Sequence, residues 1–161
     1  MMPTDSHEKR DRKPLLKYEI ESIVGIIFPL SREHIDRFVE HGKTVFVKFY
    51  GKERVPLRLR HGSRLFFYQS GGGKEIVGEA KITEVSTGTL DSVWDQFGNR
   101  LFLTREELEA YVDDRTNIRM AVLVLEGAKK YRNPLTLSHS ITMAGQYMTK
   151  KLFQNLISSR S

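Results

Sequence analysis

Cysteine is absent from the 161 residues. That excludes a disulfide scaffold, a thiolate zinc site, an iron–sulfur cluster ligated by cysteine and a thiol nucleophile together. Long apolar runs are missing too. No stretch approaches the roughly 18 residues of a spanning helix, and the polar N-terminus lacks the hydrophobic region of a secretory signal. The expectation is a cytoplasmic protein with no membrane contact. The five histidines (His7, His34, His41, His61 and His139) show no paired ligand spacing, and H-E-x-x-H does not occur, so no metal and no cofactor are expected. The serine-hydrolase elbow G-x-S-x-G and the phosphate loop G-x-x-x-x-G-K-[ST] are also missing. No internal repeat is present.

What the chain does have is enough length for one core. A single domain of this size buries roughly 70% of the surface its unfolded chain exposes. Residues 1–17 are charged, contain two prolines and carry almost no apolar side chains, so they read as a solvated tail. Residues 18–161 read as the domain. Ile23–Phe28 is a β-branched and aromatic run ending at Pro29, the pattern of a buried strand. Ser31 is placed to cap a short helix reaching Glu40, with Ile35, Phe38 and Val39 on one face. Strands are expected at Thr44–Tyr50, Val55–Leu59, Arg64–Gln69 and Glu75–Val85. Leu90, Val93, Trp94 and Phe97 have helical spacing, and Thr104-x-x-Glu107 forms a capping box ahead of Leu108, Tyr111 and Val112. Met120–Leu125 reads as a core strand, Leu135–Ile141 as extended, and Met148, Leu152, Phe153, Leu156 and Ile157 as a closing helix. Short strands with helices at the start, middle and end predict an α+β fold, a small, mostly antiparallel β-barrel with peripheral helices.

The net charge of +6 is concentrated. Between Lys48 and Arg64 lie Lys48, Lys52, Arg54, Arg58, Arg60 and Arg64 against the single acid Glu53. On a strand, Arg54, Arg58 and Arg60 share a parity and project from one face. Such a ridge can grip backbone phosphates, or serve as a soluble edge that blocks aggregation. Phe49, Tyr50 and Tyr68 lie nearby in sequence, and aromatic rings among cations suit stacking on unpaired bases. Ser70-Gly71-Gly72-Gly73-Lys74 is the most conspicuous local feature: an adaptable hairpin turn, or backbone amides and a lysine arranged for an anion. Trp94 reads as core or as a base platform. In Thr142–Tyr147, Gln146 carries both a donor and an acceptor for a base edge, or simply starts a helix.

Taken in order, IFPLSREHIDRFVEHGKT, VFVKF, FYQSGGGKEIVGEA, LFLTREEL and ITMAGQY resemble the PUA-like superfamily, close to its ASCH and EVE branches. The likeness is nearest to an uncharacterised, mainly archaeal family within it and covers roughly Ile20 to Leu152. The resemblance implies a small β-barrel with helices at its mouth and an RNA or modified-base ligand. ASCH domains carry a G-x-K-x-x-E-x-R pattern after the first helix. Here Lys43 takes the lysine position and Lys48 replaces the arginine. Phe46 stands where a glutamate, or the threonine of a hydrolytic branch, would be, and Gly42 sits one residue too close. No carboxylate or hydroxyl remains at the Phe46 position, which argues against inherited catalysis.

The expectation is therefore an RNA-binding module that takes a modified or unpaired base at the barrel mouth, with no catalytic residue assigned. Lys43 and Lys48 would hold phosphate or base edge, and Tyr68 or Trp94 would stack. Ser70 and the Gly71, Gly72 and Gly73 amides would line the mouth, with Lys74 adding charge and Gln146 or Tyr147 closing it. Lys52, Arg54, Arg58, Arg60 and Arg64 would bind phosphates. A hydrolase acting on a modified nucleoside or RNA through Lys43 and Glu75 is the alternative, and an adaptor for an acidic protein a third. A homodimer is compatible with all three.

Overall fold

The computed structural model describes residues 22–49, 59–115 and 118–159. Among the described residues, six strands and four helices follow one another along the chain. They are β1 (Ile23–Leu30), α1 (Arg32–Val39), β2 (Val45–Lys48), β3 (Arg64–Gln69) and β4 (Glu75–Gly88). Then come α2 (Leu90–Phe97), a 3₁₀ turn at Gly98–Arg100, α3 (Arg105–Val112), β5 (Met120–Thr136), β6 (Gln146–Thr149) and α4 (Lys150–Ser159). The expected tail at 1–17 and the cations Lys52, Arg54 and Arg58 fall outside the described residues. So does the strand expected at Val55–Leu59, apart from its last residue, the buried Leu59.

The strands form one sheet in the order β2-β5-β4-β3-β1-β6. Its strand pairs are antiparallel except β1 with β3. The α+β class holds, but the sheet does not close into a barrel. The edge strands β2 and β6 are four residues each and do not pair with one another. Register shifts in the β4–β5 ladder bend the sheet without bringing its edges together.

The apolar runs of β1 and β3 follow from burial on both faces. Successive side chains point to opposite sides of a strand, so a strand covered on both reads as continuously hydrophobic. Ile26 and Phe28 of β1, with Leu65 and Phe67 of β3, enter the larger core under α1, α2 and α3. Ile27, Phe66 and Tyr68 enter a second core closed by Leu135, Met148 and Leu156. Met148 belongs to β6 and not to the closing helix, because Gln146–Thr149 pairs with the free edge of β1. Beyond Leu125, β5 continues through charged residues to Thr136, paired along β4. Residues 137–141 leave the sheet, so the extended segment expected there ends at its beginning.

Ser31 caps α1 as its position implies, its hydroxyl accepting from the His34 amide at 3.1 Å. The capping box of α3 is complete. Thr104 Oγ1 accepts from the Glu107 amide at 3.1 Å, and Glu107 Oε1 accepts from the Thr104 amide at 2.8 Å.

Candidate nucleic-acid interface

β1 and β3 run in parallel, so their C-terminal ends arrive together, with Leu30 opposite Gln69. The residue after each is a serine, and the Ser70 amide donates to the Leu30 carbonyl at 2.9 Å. Ser31 and Ser70 therefore stand at one lip of a cavity of about 570 Å³. The remaining wall comes from the end of β2 and from α3. Glu107, Ala110 and Tyr111 face the cavity together, as residues three and four apart on a helix do. Phe46, Val47 and Lys48 of β2, with Phe102 and Leu103 ahead of α3, supply the floor.

That floor is aromatic. Phe46 and Phe102 stack with centroids 5.2 Å apart, Phe38 stacks on Phe102 at the same separation, and His34 meets Phe102 edge-on. Lys48 brings an ammonium into this apolar setting, 5.5 Å from the centroid of the buried Phe28 ring. Burial pushes Lys48 below its ordinary value. Burial, and then the Arg37 cation, also hold His34 below its own, against the opposing carboxylates of Glu107 and Glu33.

Glu107 is the acidic group of the wall, and both its oxygens are engaged. Arg37 Nη1 donates to Oε1 at 2.5 Å and Nη2 to Oε2 at 3.0 Å. Chiefly the Arg37 hydrogen bonds, then the Thr104 amide, lower Glu107 to about 2. Arg37 also donates to the Phe102 carbonyl and to Glu33, which ties α1 to α3 across one side of the cavity.

Of the expected site residues, the structure brings Lys48 and Ser70 to the cavity. Gly71, Gly72, Gly73 and Lys74 continue the turn beside Ser70, and the Lys74 carbonyl accepts from the Leu137 amide at 2.8 Å. Lys43 lies elsewhere, donating to the Asn99 carbonyl at 2.6 Å beside Thr44 and Gly127. Glu75, its partner in the hydrolase alternative, is opposite Thr136 at the far end of β5, so the two are not assembled. Tyr68 is 6% exposed inside the second core, which leaves its ring no free face for a base. Trp94 packs on the larger core with the Arg105 guanidinium 5.8 Å from its ring centre. Gln146 Oε1 is hydrogen-bonded to the His139 ring at 2.8 Å, and Tyr147 is partly buried against the larger core. Arg60 is exposed. Arg64 is occupied: Glu79 lies 3.6 Å away and the Phe153 ring centre 5.1 Å away.

His34, Glu107, Tyr111 and Met143 complete the cavity without having been assigned to it from sequence. For Glu107 and Tyr111 a signal existed, since their spacing of four on a capped helix puts them on one face. For Met143 the sequence holds none. Its side chain is 66% exposed yet lines the cavity from the loop before β6.

A family model described as a domain of unknown function, DUF365, matches residues 23–150. The chain belongs to the DUF365 family. Among curated proteins, large ribosomal subunit protein uL22 of Ureaplasma parvum is 31% identical over 75 residues, 47% of this chain and 24% of that protein. The chain thus spans about a quarter of the length of that relative. An uncharacterised protein of Methanocaldococcus jannaschii is 24% identical over 104 residues, 58% of this chain and 96% of its own. Among solved structures, the crystal structure of ASCH from Zymomonas mobilis superimposes with a TM-score of 0.70 at 19% identity. That match covers 86% of this chain and 96% of that one. The fold of this DUF365 member is therefore that of the Zymomonas mobilis ASCH domain, as its sequence motifs imply.

Proposed function

We propose that this DUF365 domain is a nucleic-acid-binding module that takes one unpaired or modified base of an RNA into the cavity between β2, α1 and α3. The observation that carries the reading is Lys48, a cation on an aromatic floor in a cavity of about 570 Å³. Ligand sites fall at roughly 300–1,000 Å³ and combine apolar walls with a few placed polar groups. The apolar lining of Phe46, Val47, Phe102 and Leu103 gives a base a wall to pack against, and Ser31, Ser70 and the Tyr111 hydroxyl offer partners for its edge. The net charge of +6 and the cations around Lys52, Arg54 and Arg58 suit the flanking phosphates. The fold shared with ASCH domains, and a relative named for the large ribosomal subunit, are in keeping with an RNA partner.

The test compares two RNA pools of matched sequence, one cellular with its modifications and one transcribed without them, across a salt series. The expected result is tighter binding to the cellular pool that survives high salt. Ala110→Trp, at an exposed helical position on the cavity wall, should remove this component by about tenfold while leaving the salt-sensitive component in place. Equal binding to both pools that collapses with salt overturns the base-reading part and leaves electrostatic contact alone. Absence of binding to either pool overturns the whole reading.

A further inference from the structure

The charge inside the cavity is unbalanced in a way that narrows the ligand. Glu107 is fully engaged by Arg37 and by the Thr104 amide, so it offers no free oxygen to a cation. Lys48 is the reverse case. Among the described residues its ammonium has no carboxylate partner and no hydrogen bond, and it sits over the face of Phe28. A lysine turned into an apolar wall costs free energy unless an anion completes it, and none of the described residues supplies one. Besides Glu107 and Lys48, the polar groups lining the cavity are the hydroxyls of Ser31, Ser70 and Tyr111 and the His34 ring, which meets Phe102 edge-on. The Tyr111 oxygen already accepts from the Phe49 amide at 2.9 Å, which leaves its O–H free to donate. Two donors of this kind suit a carboxylate. A phosphate dianion would need more of them, and the apolar lining of the cavity would be idle against it.

We infer that the cavity selects a ring bearing a carboxylate, with the ring against the apolar lining of Phe46, Val47, Phe102 and Leu103 and the carboxylate on Lys48 and the Tyr111 hydroxyl. This rests on the base-binding reading and names the class of modified base. Met143, exposed at the rim, is placed to cover the outer face of the ring with its flexible thioether.

The probes are short single-stranded RNAs carrying one carboxymethylated uridine, or one carbamoyladenosine with a terminal carboxylate. The matched controls are the primary amides of each and the unmodified oligonucleotide. The free modified nucleosides form a second arm. At pH 7 the wild-type protein should bind at least one carboxylate RNA about tenfold or more tighter than its amide, the scale of one charge-assisted contact. Lys48→Met should reduce that preference to about one, and Lys48→Arg should keep part of it. The ligand series on the wild-type protein stands without the variants, so a misfolded variant does not protect the inference. Salt-resistant binding that is equal for carboxylate, amide and unmodified RNA overturns the carboxylate inference and keeps the RNA reading. Binding of the free carboxylate nucleosides alone, lost in Lys48→Met, overturns the RNA reading and supports the inference. Binding in neither arm overturns both.

Discussion

At the scale of single residues, Gly145 and Glu107 carry more than their type suggests. Gly145 has φ +78°, and a Cβ there would stand 2.4 Å from Phe28 Cε1 and 2.8 Å from the Ile27 carbonyl. The loop bearing Met143 reaches the sheet through this contact. Gly145→Ala should therefore cost about 3 kcal/mol or more, from backbone strain and the clash with an immobile ring. Gly73→Ala, where nothing lies within 4 Å, should change stability by no more than about 0.5 kcal/mol. Thermal melts of the two variants check the contrast. Glu107 makes a prediction in pH. Its folded value of about 2 lies below the ordinary 4.5, so the folded state binds fewer protons than the unfolded one. The stabilisation is complete above about pH 4.5 and is lost as pH falls through about 2. The side chain is 37% exposed, so solvent screening reduces the contribution to about 1–2 kcal/mol. Glu107→Gln should be less stable than wild type by that amount at pH 7, and the gap should close by pH 2 in urea titrations.

At the scale of elements, the helices are legible in sequence because their signals are local. The Ser31 cap and the Thr104–Glu107 box act within four residues, and α1 and α3 begin where those residues put them. Thr104→Ala should cost about 1 kcal/mol through loss of the α3 cap, read as a lower midpoint in chemical denaturation. The strands divide. Arg64–Gln69 is buried on both faces and its apolar run marks its ends. Gln146–Thr149 carries no such run and is a strand because the β1 edge supplies its hydrogen bonds. The second half of β5 escapes notice for a similar reason: Glu126, Lys129, Lys130 and Arg132 are exposed, and the ladder to β4 holds them. The site divides in the same way. Lys48 and Ser70 stand out as a basic end of a strand and a glycine-flanked turn. His34 and Met143 do not, since only the meeting of α1, the last loop and the strand ends gives them a cavity to face.

At the scale of the molecule, the concentration of charge between Lys48 and Arg64 makes a separate prediction. Replacing Lys52, Arg54 and Arg58 together by alanine should lower the slope of log affinity against log salt by about two to three units, at about 0.7–0.9 for each phosphate no longer neutralised. Arg64→Ala should leave the slope unchanged, because its guanidinium is held by Glu79 and Phe153. A salt titration of RNA binding separates the two. Taken by itself, the sequence determined the α+β class, the caps and faces of the helices, the doubly buried strands and the family motifs. Each of these is written in periodicity or in residues a few positions apart. The tertiary structure decided that the sheet stays open, that Tyr68 and Arg64 are spent on packing, and that Lys43 and Lys48 point to different places. It also decided that Lys48, Glu107 and Tyr111 share one cavity. Those outcomes depend on which strand edges pair and which helix faces meet, interactions between residues distant in the chain that no local pattern records.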